Sequence, residues 1–183
     1  SVLEMGAMGI IVPDIKNAIE AKRVVNAAKF SPIGNRGMFS ATRKSGYGSV
    51  DGATFKKWTN NEILIGIQIE NLEAIKNINE ILNVDGIDLI LSGRGDLSNA
   101  LGIPGKKNHP LVLDAEEKIF NAALEKGIAI SPQLDPYSDN FDEVVQEWKN
   151  KGATIISLGI DLAIIKKAFE DIVARTKVIE SVN

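Results

Sequence analysis

Five short apolar runs, each followed by an amphipathic stretch, constrain the fold of this chain more than any other feature. The runs are residues 9–13 (GIIVP), 63–70 (ILIGIQIE), 86–93 (GIDLILSG), 127–132 (GIAISP) and 153–159 (ATIISLG). They are nearly continuous in Ile, Val and Leu, as expected of strands covered on both faces in a parallel sheet. The stretches between them have helical spacing. Residues 15–30 align Ile15, Ala18, Ile19, Val25 and Ala28, and residues 72–82 align Leu72, Ile75, Ile78 and Leu82. Residues 111–126 carry Leu113, Ile119, Phe120, Ala123 and Leu124, and residues 139–151 carry Phe141, Val144, Val145 and Trp148. Gly127 and Gly152 follow these two as C-terminal stops. A last stretch, residues 161–178, aligns Leu162, Ile165, Ala168 and Ile172. Strand alternating with helix predicts an α/β fold with right-handed crossovers.

Two architectures fit that alternation: an open doubly wound sheet and part of a (β/α)8 TIM barrel. No strand is followed by a dinucleotide G-x-G-x-x-G or a phosphate P-loop, which weighs against the first. Five units fall short of a closed barrel of about 250 residues. The abrupt apolar start at Ser1 therefore favours three further units upstream, in a gene product longer by roughly 70 residues. Residues 1–183 are read as a single domain. Residues 31–61 break the rhythm, with Pro32, Gly34, Gly37, Gly46, Gly48 and Gly52 among Arg36, Arg43, Lys44 and Lys56. We read them as a strand-to-strand excursion with a short helix near residues 53–59, a length that in a compact domain points to function or mobility.

Composition excludes several classes. The formal net charge of −3, without a basic cluster, argues against a nucleic-acid partner. The chain has no cysteine, so no disulfide framework or thiol chemistry is available. There is no secretory leader pattern and no apolar run approaching about 18 residues, so the expectation is no membrane association and a soluble, cytoplasmic protein.

Two carboxylates stand where barrel enzymes build their active sites, at strand C-terminal ends. Glu70 closes the second run, and Asp96 follows the third in the loop SGRGDLS. Consecutive strands are expected to be neighbours, so the two could hold one Mg2+ or Mn2+ and leave positions for water and substrate. A plain structural reading stands beside this one: a strand-end Glu pairs with a Lys, and the Asp of GDLS caps a helix. Gln68 lies two residues before Glu70 and so shares its face of the sheet. Gly93, Gly95 and Gly102 surround Asp96 and would let backbone N–H groups approach an anion, or merely form turns. His109, the single histidine, precedes a helix and reads as a loop or capping residue. Arg94 reads as a solvated loop arginine that could also meet a carboxylate substrate.

Several pieces, in order and spanning nearly the whole chain, resemble the HpcH/HpaI aldolase family of 4-hydroxy-2-oxoheptanedioate and 2-dehydro-3-deoxyglucarate aldolases. They are GAMGIIVPDIKNAIEA, FSPIGNRG, QIEN, VDGIDLILSGRGDLSNALG, NHP and LGIDLAII. The resemblance implies a (β/α)8 barrel of which the chain carries strands four to eight, GIIVP being the fourth and ATIISLG the eighth. It implies a metal-dependent (class II) aldolase that joins or cleaves pyruvate, as an enolate on the metal, and an aldehyde. Glu70 and Asp96 would be the ligands of Mg2+ or Mn2+, with Co2+ a further candidate. Gln68 would contact the pyruvate moiety, and the backbone of Gly95 and Asp96 its carboxylate. Glu4 stands where the family usually has an Asp that raises the basicity of a catalytic His. That His and an enolate-stabilising Arg belong to the first three units, which these residues do not include. Arg94 replaces the family's usual Pro, and Gly95 its Ala or Ser. Homo-oligomerisation, as a hexamer, is implied as well. The rival readings are a lyase acting on a CoA thioester, as in the citrate lyase β and malyl-CoA lyase branch, and a non-catalytic barrel remnant.

Overall fold

The computed structural model describes residues 2–180, with side chains through residue 176. Strand β1 (Gly9–Val12) is followed by helix α1 (Ala18–Ala28), a 3-10 turn (Arg43–Gly48) and helix α2 (Gly52–Glu62). Then come β2 (Leu64–Ile69), the short helices α3 (Leu72–Lys76) and α4 (Ile78–Leu82), β3 (Leu89–Ser92), α5 (Arg94–Ala100) and α6 (Pro110–Glu125). The chain continues through β4 (Ala129–Ser131), β5 (Gln133–Leu134), α7 (Phe141–Asn150), β6 (Ser157–Leu158) and α8 (Asp161–Glu180).

Every strand pairing is parallel, and strand neighbours follow chain order. β1–β2–β3–β4 form one sheet, and β5–β6 a second. Only Pro132 separates β4 from β5, so the fourth apolar run bends and hands the chain from one sheet to the other. Pro132 has no N–H to give the ladder, but its carbonyl accepts from the Ser157 N–H at 3.0 Å. The order does not reverse, as it would at the switch point of a doubly wound sheet.

Ile65, Ile67 and Ile69 alternate onto the face covered by helices and are fully buried, together with Ile90 and Ile130. Helices α1 and α6 pack on this face, against β2 and against β3 and β4. The opposite face carries Leu64, Gly66, Gln68 and Glu70. Here the expectation of double coverage is only partly met: Ile11 is 44% and Leu64 45% exposed. Leu89 and Leu91 of β3, level with Gly66 and Gln68, are buried.

The helices differ from the sequence reading in instructive ways. α1 starts only at Ala18, because Asn17 caps it by accepting from the Glu20 N–H at 3.0 Å. It buries Ala21, Val25 and Ala28, whereas Ile19 is exposed. The stretch 72–82 is two short helices, broken at Asn77, whose side-chain amide donates to the Lys16 carbonyl at 2.9 Å. In the excursion, α2 is longer than expected and is capped by Asp51, which accepts from Ala53 and Thr54. The buried Lys29 ties that region to β2 by donating to the carbonyls of Asn60 and Ile63. The run 153–159 yields only the two-residue β6. In α8 no described side chain is buried, so the predicted stripe of Leu162, Ile165 and Ile172 faces outward together with Phe169. Among the described residues no helix is long and apolar enough to cross a membrane.

Candidate active site

The register puts the C-terminal ends of β2 and β3 level and brings the turn that leaves β1 alongside them. Val12 pairs with Ile67, and Ile69 with Ser92. One residue past β2, Glu70 emerges on the same face as Gln68, and the Gln68 side-chain amide donates to Glu70 Oε2 at 2.5 Å. The other oxygen, Oε1, accepts the backbone N–H of Asp14 at 2.8 Å, from the turn that leaves β1. Asp14 sits at φ +54°, a left-handed conformation uncommon for any residue but Gly, Asn or Asp. Asn71 then caps α3, accepting from the Ala74 N–H at 2.8 Å, so the chain is fixed on both sides of Glu70.

Across from Glu70, the Gly93 N–H donates to the Ile69 carbonyl at 3.1 Å and continues the ladder one step beyond β3. There is no room for a side chain at this step. A Cβ on Gly93 would lie 2.7 Å from both Gln68 Nε2 and Glu70 Oε2. Gly93 is the N-cap of α5, so Asp96 stands in a first helical turn rather than in a loop. The N–H groups of that turn have no carbonyl one turn back to bond.

Asp96 approaches Glu70 closely enough to act on its ionisation. Burial pushes the Glu70 carboxyl above its ordinary value, and the Asp96 carboxylate adds to the rise. The Asp14 N–H and the Gln68 amide pull the other way without cancelling it. Neither carboxylate has an ion-pair partner among the described residues. Two neighbouring carboxylates, one of them half-buried and with an amide beside it, suit a hard divalent cation that keeps much of its water. No described group of three or more His, Asp or Glu converges, so the described residues supply two candidate ligands here.

Residues 1–168 match the family described as HpcH/HpaI aldolase/citrate lyase. The chain belongs to this family. It is 31% identical to a 4-hydroxy-2-oxo-heptane-1,7-dioate aldolase of Shigella flexneri over 94% of the chain, and it spans 62% of that protein's length. Among solved structures, an HpcH/HpaI aldolase from Desulfitobacterium hafniense DCB-2 aligns with a TM-score of 0.85 and 30% identity, over 96% of this chain and 66% of that one. The citrate synthase SbnG aligns with a TM-score of 0.83 and 27% identity, over 98% of this chain and 67% of that one.

Of the residues singled out in this HpcH/HpaI chain, the fold brings Gln68, Glu70 and Asp96 together. Glu4 is held elsewhere: it precedes β1, and its carboxylate takes Arg36 Nε at 3.0 Å and Nη2 at 2.6 Å. His109 caps α6, its Nδ1 accepting from the Leu111 N–H at 3.2 Å, in keeping with the capping reading. Arg94 departs from its expected role as a solvated or substrate-facing residue. It turns away from Asp96 onto the buried Glu116 of α6, which also takes Ser92 Oγ. Gly95 and Arg94 border a cavity of about 360 Å3 at the ends of β5 and β6, lined in part by Lys107, Gln133, Leu134 and Gly159. Sequence reasoning passed over Asp14, Asn71 and Glu116. The first two had a signal, each standing just past a strand end. Glu116 had none, since nothing marks one Glu of a helix as buried.

Proposed function

We propose that this chain is part of a metal-dependent aldolase that forms or cleaves the bond between pyruvate and an aldehyde. The observation that carries the reading is the opposed pair Glu70 and Asp96, on neighbouring parallel strand ends with Gln68 beside them. Family membership supports it, as does the aldolase name of the Shigella flexneri relative. Residues 1–183 are taken as one domain, strands four to eight of a (β/α)8 barrel. The sequential parallel order supports this, and so does the half-open face carrying Ile11, Leu64 and Gln68, which would become the barrel interior.

In this reading Glu70 and Asp96 would hold the ion, Mg2+ or Mn2+ with Co2+ also admissible, and the ion would supply Lewis-acid polarisation of the 2-oxo acid carbonyl. Gln68 donates to the bound oxo acid from the side of Glu70. The backbone N–H groups of Gly95 and Asp96 take its carboxylate in the first turn of α5. The Asp14 N–H fixes Glu70 through Oε1. Glu4 occupies the position that supports the base in the family, and in this chain Arg36 holds it. The proton-abstracting base comes from preceding barrel units. A small-molecule substrate, a cytoplasmic location and a homo-oligomer, a hexamer by resemblance, belong to the same proposal.

The test is exchange of the pyruvate methyl protons in D2O, followed by NMR on the full-length gene product. Exchange that needs Mg2+ or Mn2+, stops with chelator and is lost in Glu70→Gln is the expected result. No exchange in the metal-loaded protein overturns the reading. Turnover that requires a CoA thioester would move the assignment to the thioester lyases.

A further inference from the structure

The most unusual group near the site is a buried carboxylate that the reaction above does not use. Glu116 of α6 is 2% exposed. It reaches two successive elements of the chain: Ser92, the last residue of β3, through its hydroxyl, and Arg94, the first residue of α5. The Arg94 guanidinium meets it through Nε at 2.9 Å to both carboxylate oxygens and again through Nη2. Arg94 also reaches Asn108 Oδ1 at 3.4 Å. The pair is therefore a several-point hold, of the kind a planar guanidinium makes and an ammonium does not.

The geometry of a helix converts this hold into a constraint on Asp96. Side chains two residues apart on a helix point roughly 200° away from each other. With Arg94 drawn outward onto α6, Asp96 is turned inward toward Glu70. The opposite side of the same turn is closed as well, because Gly93 sits against Gln68 and Glu70 with no space for a Cβ. The first turn of α5 is thus gripped from both sides, and its rotation about the helix axis is set.

We infer that Arg94 and Glu116 are positioning residues for the ion-binding pair: they fix the rotation of the α5 first turn so that Asp96 faces Glu70. This inference rests on the metal reading of Glu70 and Asp96.

The experiment is Mn2+ binding followed by EPR on the full-length protein, with thermal melting recorded alongside. Removing one partner alone would strand a buried charge and could unfold the protein, so the main variant is the double replacement Arg94→Met with Glu116→Met, which fills the space with apolar side chains. It is expected to melt near the wild type and to bind Mn2+ at least tenfold more weakly. Arg94→Lys keeps the charge pair while losing the fork; it is expected to weaken Mn2+ severalfold at unchanged melting temperature, and it carries the test if the double variant does not fold. Wild-type Mn2+ affinity in the folded variants overturns the inference. A wild-type protein with no Mn2+ affinity, or one whose affinity survives Glu70→Gln, overturns the metal reading and the inference with it.

Discussion

At Glu70 the ordinary gain of an ionised carboxylate is reversed. Its folded pKa lies above the usual 4.5, first through burial and then through the charge of Asp96. A raised carboxyl contributes stability that is fully present below the unfolded value and lost as pH rises through the folded one. At neutral pH and without metal, the ionised side chain therefore destabilises the fold. In chelator at pH 7, Glu70→Gln should melt higher than the wild type, and the difference should close below pH 4.5, the ordinary value. A gap of the same size at both pH values would show that ionisation is not the cause. The Gly93 position is constrained by sterics alone, since its φ of −98° is open to any residue. Gly93→Ala must displace Gln68 or Glu70, costing about 1–3 kcal/mol by denaturant unfolding together with loss of methyl-proton exchange. A variant of wild-type stability and activity would mean that the turn yields.

Elements are positioned by caps and by a few large core side chains. Phe120 of α6 is fully buried and meets the Trp148 ring of α7 edge-on, 5.3 Å between centroids. Phe120→Ala should cost about 3–5 kcal/mol, measured by urea unfolding. It should also loosen α6, the helix that carries Glu116. Asn71 acts at a smaller scale: Asn71→Ala removes the cap of α3 next to Glu70 and should cost about 1 kcal/mol. Residues 72–82 form two helices meeting at Asn77 where their spacing predicts one. Apolar spacing runs unbroken through it, but the Asn77 side chain bonds to the Lys16 carbonyl, a partner 61 residues away that periodicity cannot see.

For the whole molecule, α8 is the outlier. Phe169 is 64% exposed, and Leu162, Ile165, Ile172 and Val173 are exposed with it, an apolar stripe larger than isolated surface residues account for. Because none of its described side chains is buried, Phe169→Ala should change the stability of the 183-residue chain by less than about 0.5 kcal/mol. A loss of about 2 kcal/mol or more in thermal or denaturant unfolding would show that the helix packs on the rest of the chain.

Much of this protein was legible from its residues alone. Continuous Ile, Val and Leu runs between helical stretches define parallel strands in chain order, because only that pattern buries strands against helices. The period of two along a strand puts Gln68 and Glu70 on one face, and strand ends following each other in sequence make Glu70 and Asp96 neighbours. Tertiary structure alone decided the rest. That Asp96 belongs to a helix, that Arg94 turns outward to a buried Glu116, and that the Asp14 N–H holds Glu70 all depend on contacts between residues far apart in the chain. Such contacts leave no periodic trace, since a hydrogen bond across 56 residues is set by where the folded backbone brings its donor.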